Sequence, residues 1–114
     1  MVELLVRLTA TPGRSQGLIQ ALRSVRGSLQ LDGVCQGVRV ASDADDADVV
    51  WYCEEWPGLE EFERHLRSPS FARLLAVVET AATPPWIECR VVSETRGLEY
   101  LAAMRSVLDT DVEG

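Results

Sequence analysis

The chain holds one histidine, His65, and imidazole is the side chain best suited to taking up and returning a proton near neutral pH. His65 follows Phe62 by three residues, at the border of a helical apolar stripe. That position suits a general base, and equally a histidine that packs or caps. Tyr52 and Trp56 lie four apart in a stretch of strand character and therefore share a face. Two large rings with polar tips make either one wall of a flat pocket for an aromatic molecule or a piece of core. Trp86 and Arg90 repeat the spacing in a later strand. Arg90 there suits an anionic substrate oxygen or an interface salt bridge.

Other chemistries find little support. Cys35, Cys53 and Cys89 form an odd set without C-x-x-C spacing, which matches neither a disulfide framework nor a zinc site, and each sits in an apolar stretch, where a buried reduced thiol acting as a small hydrophobe is expected. Asp43, Asp45, Asp46 and Asp48 invite a calcium reading. The glycine that such a loop needs at its sixth position is Asp48, so a solvated hairpin loop is expected instead. No G-x-G-x-x-G, P-loop or H-E-x-x-H pattern occurs, so no nucleotide cofactor or zincin metal is expected. A net charge of -7 without clustered Lys and Arg argues against nucleic acid. No apolar run approaches the ~20 residues that cross a bilayer, and residues 1–9 lack a basic start and a cleavage site. The expected location is the cytoplasm, with no membrane partner.

The elements that must position these residues follow from periodicity. Val2, Leu4, Val6 and Leu8 alternate with Glu3, Arg7 and Thr9 as a half-buried strand does. Thr11-Pro12 reads as the start of a helix, Leu18, Leu22, Val25 and Leu29 give it one apolar stripe to about Gln30, and Asp32-Gly33 breaks it. Residues 34–41 and 49–56 read as a hairpin around the acidic loop. Pro57-Gly58 opens a short helix with Leu59, Phe62 and Leu66 inward. Ser68-Pro69 caps another that carries Phe71, Leu74, Leu75 and Val78. Residues 86–93 form a last strand, residues 96–108 a C-terminal helix, and residues 109–114 an acidic, frayed tail. The order β-α-β-β-α-β over residues 1–93 predicts an α+β, ferredoxin-like domain with a four-stranded antiparallel sheet, and residues 94–114 form an extension.

In residues 49–56, Val49, Trp51 and Cys53 point one way, while Val50, Tyr52 and Trp56 point the other. A sheet with helices on one side leaves its second face in water, where large apolar groups are costly. A homodimer that packs two such sheets face to face removes that cost.

The segment from Glu55-Trp56-Pro57-Gly58 through His65-Leu66 to Ser68-Pro69-Ser70-Phe71 resembles the antibiotic biosynthesis monooxygenase family. There a strand ends in Glu-Trp or Gln-Trp, a helix ends near His-Leu, and a Ser-Pro or Thr-Pro turn follows. The resemblance implies a dimeric α/β barrel. Trp56 matches a tryptophan at the pocket edge of members that oxidise anthrones, although Tyr52 stands where those carry asparagine. His65 matches a histidine common in the quinol-oxidising branch, and Ser70 replaces that branch's second histidine. Leu75 and Val6 stand where haem-degrading members need histidine and asparagine, so haem is not expected. The family's oxygenases need no metal or flavin of their own. The resemblance thus implies a cofactor-independent monooxygenase-like enzyme for a small phenol, quinol or anthrone. His65, Tyr52 and Trp56 are then the catalytic candidates, with Trp86 and Arg90 as substrate-binding candidates. The alternative is a non-catalytic dimeric module that binds a small ligand or serves as an interaction domain.

Overall fold

The computed structural model describes the backbone of residues 1–113 and the side chains of residues 1–106. The chain runs β1 (Val2–Thr9), α1 (Ser15–Asp32), β2 (Gly37–Ser42), β3 (Val49–Trp56), α2 (Leu59–Leu66), α3 (Pro69–Val78), β4 (Trp86–Val91) and α4 (Leu98–Glu113). The four strands form one antiparallel sheet in the order β2-β3-β1-β4. The expected ferredoxin-like α+β fold is the one observed. The C-terminal helix, expected over residues 96–108 with a frayed tail after it, begins at Leu98 and continues to Glu113.

Register explains where the core sits. Val2, Leu4, Val6 and Leu8 of β1 lie opposite Trp56, Glu54, Tyr52 and Val50 of β3, and all eight side chains are buried on the face that the helices cover. Onto this face α1 lays Leu18, Ile19, Leu22, Val25 and Leu29, at the three- and four-residue spacing of one helical stripe. Phe62 from α2 and Leu74 and Val78 from α3 complete the cluster.

Four local readings change. Thr11-Pro12 does not cap α1. The Thr11 carbonyl accepts from the Arg14 N–H at 2.8 Å, and Gly13 has φ 79°, so Pro12-Gly13 forms a turn of the type that places glycine third and the helix waits until Ser15. In α2 the inward side chains are Phe62 and His65, while Leu59 and Leu66 are exposed. In α3 the inward ones are Ser70, Leu74 and Val78, and Leu75 is exposed. Cys89, read as buried, is exposed because it lies on the edge strand β4, beyond the reach of the helix layer. The Ser68 cap is as expected, its hydroxyl accepting from the Phe71 N–H at 3.3 Å with Pro69 following.

Two glycines of the first helical region separate backbone strain from packing, since a Cβ at either would meet nothing within 4 Å. Gly33, with φ 73°, ends α1 in the left-handed region, so Gly33→Ala is expected to destabilise the fold by about 1 kcal/mol. Gly27 lies inside the helix, and Gly27→Ala is expected to stabilise by about 0.5–1 kcal/mol. Urea unfolding of the two variants against wild type reads both signs.

Candidate functional site

The inner face of β3 carries a carboxylate where alternation calls for an apolar residue. Glu54 is completely buried and lies between Val38 of β2 and Leu4 of β1 across the sheet. A charge taken from water at such a place is strongly unfavourable unless donors surround it. The same strand face supplies two of them. The Tyr52 hydroxyl donates to Glu54 Oε2 at 2.5 Å and Trp56 Nε1–H donates to Oε1 at 2.9 Å, both in the range of charge-assisted bonds. The third approach comes from α2, whose His65 places Nε2 2.9 Å from Glu54 Oε1. That contact lies off the direction of an aligned ring N–H bond, so its attraction is chiefly that of close opposite charge or dipole.

His65 is clamped on its faces as well. Its ring stacks on Trp56, with centroids 4.3 Å apart and planes at 26°, and Phe71 of α3 meets it edge-on at 5.6 Å. Its second nitrogen, Nδ1, lies 3.3 Å from the Ser68 hydroxyl. An acceptor-only carboxylate beside Nε2 favours the tautomer with the proton on Nε2. Nδ1 then keeps its lone pair and accepts from Ser68, whose oxygen in turn accepts from the Phe71 N–H. Burial first, and then the Glu54 charge, push the Tyr52 hydroxyl far above the ordinary tyrosine range. Tyr52 is thus a fixed donor to the carboxylate and not an acid in the working pH range.

An open pocket of about 250 Å³ reaches this cluster from the surface. Trp56, His65 and Ser68 form its inner end, Val34 and Asp32 come from the end of α1 and the segment after it, and Glu61 and Arg64 from α2. Arg64 otherwise meets only the exposed Glu60 at 3.6 Å and is available to a ligand at the rim. Among the described residues no cluster of His, Cys, Asp and Glu is arranged to hold a metal ion. The loop aspartates serve the backbone: Asp43 accepts from the N–H groups of Asp45 and Asp46, and Asp46 from that of Asp48. Burial raises the thiol pKa values of Cys35 and Cys53, the opposite of what activates a nucleophilic sulfur.

Of the five residues singled out in the sequence, the structure brings Tyr52, Trp56 and His65 together around Glu54. Trp86 and Arg90 lie elsewhere, on the opposite face of the sheet. They neighbour Arg7 and Glu3 of β1, where Trp86 meets Trp51 edge-on at 6.2 Å and Arg90 pairs with Glu88 at 2.8 Å. Tyr52 touches the carboxylate rather than the pocket. Glu54 escaped notice because it is charged, yet its place two residues from both Tyr52 and Trp56 put it on their face by alternation alone. Ser68, read only as a cap, also lines the pocket.

A ferredoxin-like α+β domain with a buried carboxylate behind a histidine-lined pocket is the class of protein that this geometry defines. The profile of the antibiotic biosynthesis monooxygenase family matches residues 1–77, and the chain belongs to that family. Solved structures share the fold. A candidate antibiotic biosynthesis monooxygenase of Deinococcus radiodurans superposes with a TM-score of 0.75 at 19% identity, covering 86% of this chain and 98% of its own. Rv0793 of Mycobacterium tuberculosis gives 0.71 at 15% identity over 84% and 98%. A candidate family member of Chloroflexus aurantiacus J-10-fl gives 0.65 at 26% identity over 85% and 97%. No curated protein matches the chain.

Removing the Glu54 carboxylate strands three buried polar groups, so Glu54→Ala is expected to cost about 3–5 kcal/mol, whereas Glu60→Ala at the exposed pair changes stability by less than about 0.5 kcal/mol. Denaturant midpoints test both. Because folding raises the Tyr52 pKa, its stabilising contribution is complete below the ordinary tyrosine value near 10 and is lost as pH climbs beyond it. Wild type is therefore expected to lose up to about 1.4 kcal/mol per pH unit above about pH 10 from this group. Tyr52→Phe lacks that component, and the Tyr52 phenolate absorbance rises only as the chain unfolds.

Proposed function

We propose that the chain is a cofactor-independent, monooxygenase-like enzyme acting on a small phenol, quinol or anthrone in the pocket against Trp56 and His65. The observation that carries this reading is the polarity of His65: Nε2 is backed by the Glu54 carboxylate, while Nδ1 lies 3.3 Å from the hydroxyl of Ser68, a residue that lines the pocket. In this proposal Nδ1 takes the phenolic or enolic proton, and the carboxylate stabilises the imidazolium that forms. The electron-rich anion then hands an electron to dioxygen directly, and Arg64 at the rim offsets negative charge on the oxygen. Trp56 gives the flat wall, and Tyr52 holds Glu54 rather than the substrate. A pocket of about 250 Å³ lies below the ~300–1,000 Å³ of drug-sized sites, which favours one ring over a fused polycycle. Family membership supports the oxidative class.

The same proposal includes a homodimer, a dimeric α/β barrel closed through the outer sheet face. That face carries Leu5, Trp51, Cys53 and Trp86 among the charged side chains of Glu3, Arg7, Arg39, Glu55, Glu88 and Arg90, so apolar and charged groups are both on offer to a second copy. A cytoplasmic location is inferred from three cysteines with no pairing pattern. The charge of -7 supports a chain without a nucleic-acid partner, and no helix of the described residues is long and apolar enough to cross a membrane.

A second reading, a binding module without catalysis, is favoured by one observation: Trp56 and His65 are almost wholly buried and reach the pocket only by their edges. Oxygen uptake with a panel of hydroquinones and anthrones separates the two. The enzyme reading expects single-ring quinols to be turned over, His65→Ala to lower kcat by about 10²–10⁴-fold, and Trp56→Phe to raise KM. Uptake unchanged by both variants removes these residues from the mechanism, and quenching of tryptophan fluorescence by ligands without any uptake supports the module.

A further inference from the structure

We infer that the Ser68 hydroxyl is a catalytic relay between substrate and base: it receives the phenolic or enolic proton in the pocket and passes its own proton to His65 Nδ1. The inference rests on the oxidation proposed above and adds a residue to it. Its origin is a difference of access. His65 is only 5% exposed, with Trp56 stacked on its ring at 4.3 Å and Phe71 edge-on at 5.6 Å. Its Nδ1 has the Ser68 oxygen 3.3 Å away. Ser68 is half-buried and lines the pocket. With the ring proton on Nε2, the lone pair of Nδ1 is already taken by that hydroxyl, so a substrate proton meets Ser68 before it meets the base.

The hydrogen-bond capacity of Ser68 fits this role. A serine hydroxyl has one proton to give and two lone pairs. The proton goes to Nδ1, and one lone pair accepts from the Phe71 N–H at 3.3 Å. Among the described residues no further donor reaches the oxygen, which leaves the second lone pair for a hydroxyl in the pocket. The backbone holds Ser68 from both sides. Its N–H donates to the His65 carbonyl at 2.9 Å, and its carbonyl accepts from the Ala72 N–H at 3.3 Å. The path from pocket to imidazole is therefore assembled before substrate arrives.

In the step itself, the substrate O–H bond breaks as Ser68 Oγ takes the proton, and the Ser68 O–H bond breaks as Nδ1 takes the other. Serine ends neutral, a phenolate and an imidazolium are formed, and no electron moves until dioxygen reacts. Glu54 Oε1, 2.9 Å from Nε2, offsets the imidazolium charge. A carboxylate, a histidine and a serine in series can also activate a nucleophile. Where a serine at a helix entrance attacks a carbonyl, however, the N–H of the next residue receives the oxyanion. Here that residue is Pro69, which has no N–H, so the arrangement favours moving a proton at Ser68 over forming a bond there.

Ser68 is also the N-cap of α3, and the test separates the two roles. Asparagine caps a helix about as well as serine but has no hydroxyl, whereas threonine keeps both functions. Oxygen uptake with methylhydroquinone is measured for wild type, Ser68→Asn and Ser68→Thr, with a urea midpoint for each. Ser68→Asn is expected to lower kcat at least about tenfold with KM within about twofold of wild type, and Ser68→Thr to keep kcat within about threefold. Wild-type kcat in Ser68→Asn, or an equal loss in Ser68→Thr, overturns the relay; the oxidation itself then still stands if His65→Ala lowers kcat. No uptake by wild type overturns both. In case Ser68→Asn fails to fold, Ser68→Ala takes its place under conditions where its urea midpoint shows it folded, with the same loss expected and wild-type kcat overturning the relay.

Discussion

The buried carboxylate of Glu54 is the constraint around which this domain is organised. A carboxylate set in an apolar row of a central strand is stable only when its oxygens are saturated by donors with good geometry. Tyr52 and Trp56 supply those hydrogen bonds from one strand face, and His65 adds a close polar contact from the helix without an aligned bond, which locks the end of β3 to α2 and thereby fixes the entry to α3. The aromatic stack of Trp56, His65 and Phe71 follows from the same requirement, because a histidine that reaches a buried carboxylate must itself be packed.

That arrangement connects stability to chemistry. A histidine backed on one nitrogen by a carboxylate, and joined on the other to a hydroxyl that lines a pocket, is pre-oriented for proton transfer. The proposed oxidation asks the protein only for a base, a dry wall and a compensating charge. His65, Trp56 and Arg64 stand at one pocket in those places. The remaining architecture concerns coverage: the helices seal one face of the sheet, and the outer face keeps apolar groups that the proposed second copy would cover.

Much of this was legible in the sequence, and the misses have physical causes. Alternation in β1, the run of β-branched and aromatic residues in β3 and the Ser68-Pro69 cap encode their structures locally, so these elements read directly. Thr11-Pro12 misled because a proline that suits a helix start suits the second place of a turn equally, and Gly13 decided for the turn. Hydrophobicity alone places Leu59 and Leu66 inward, but the partner waiting in the core is Glu54, so the helix turns His65 inward instead. Glu54 itself illustrates two rules in conflict, since its period said inward and its charge said outward. Trp86 and Arg90 could not be separated from Tyr52 and Trp56 by spacing, because the face they occupy depends on the register of β4 against β1.

Because His65 is the sole histidine, its imidazole nitrogens give one unambiguous set of ¹⁵N resonances, and long-range proton–nitrogen correlation of the neutral ring reports its tautomer without assignment of the rest of the chain. The account predicts a proton on Nε2, facing Glu54, and a bare Nδ1 toward Ser68 and the pocket. A proton on Nδ1 with Nε2 bare would contradict it, for the carboxylate would then not be orienting the base.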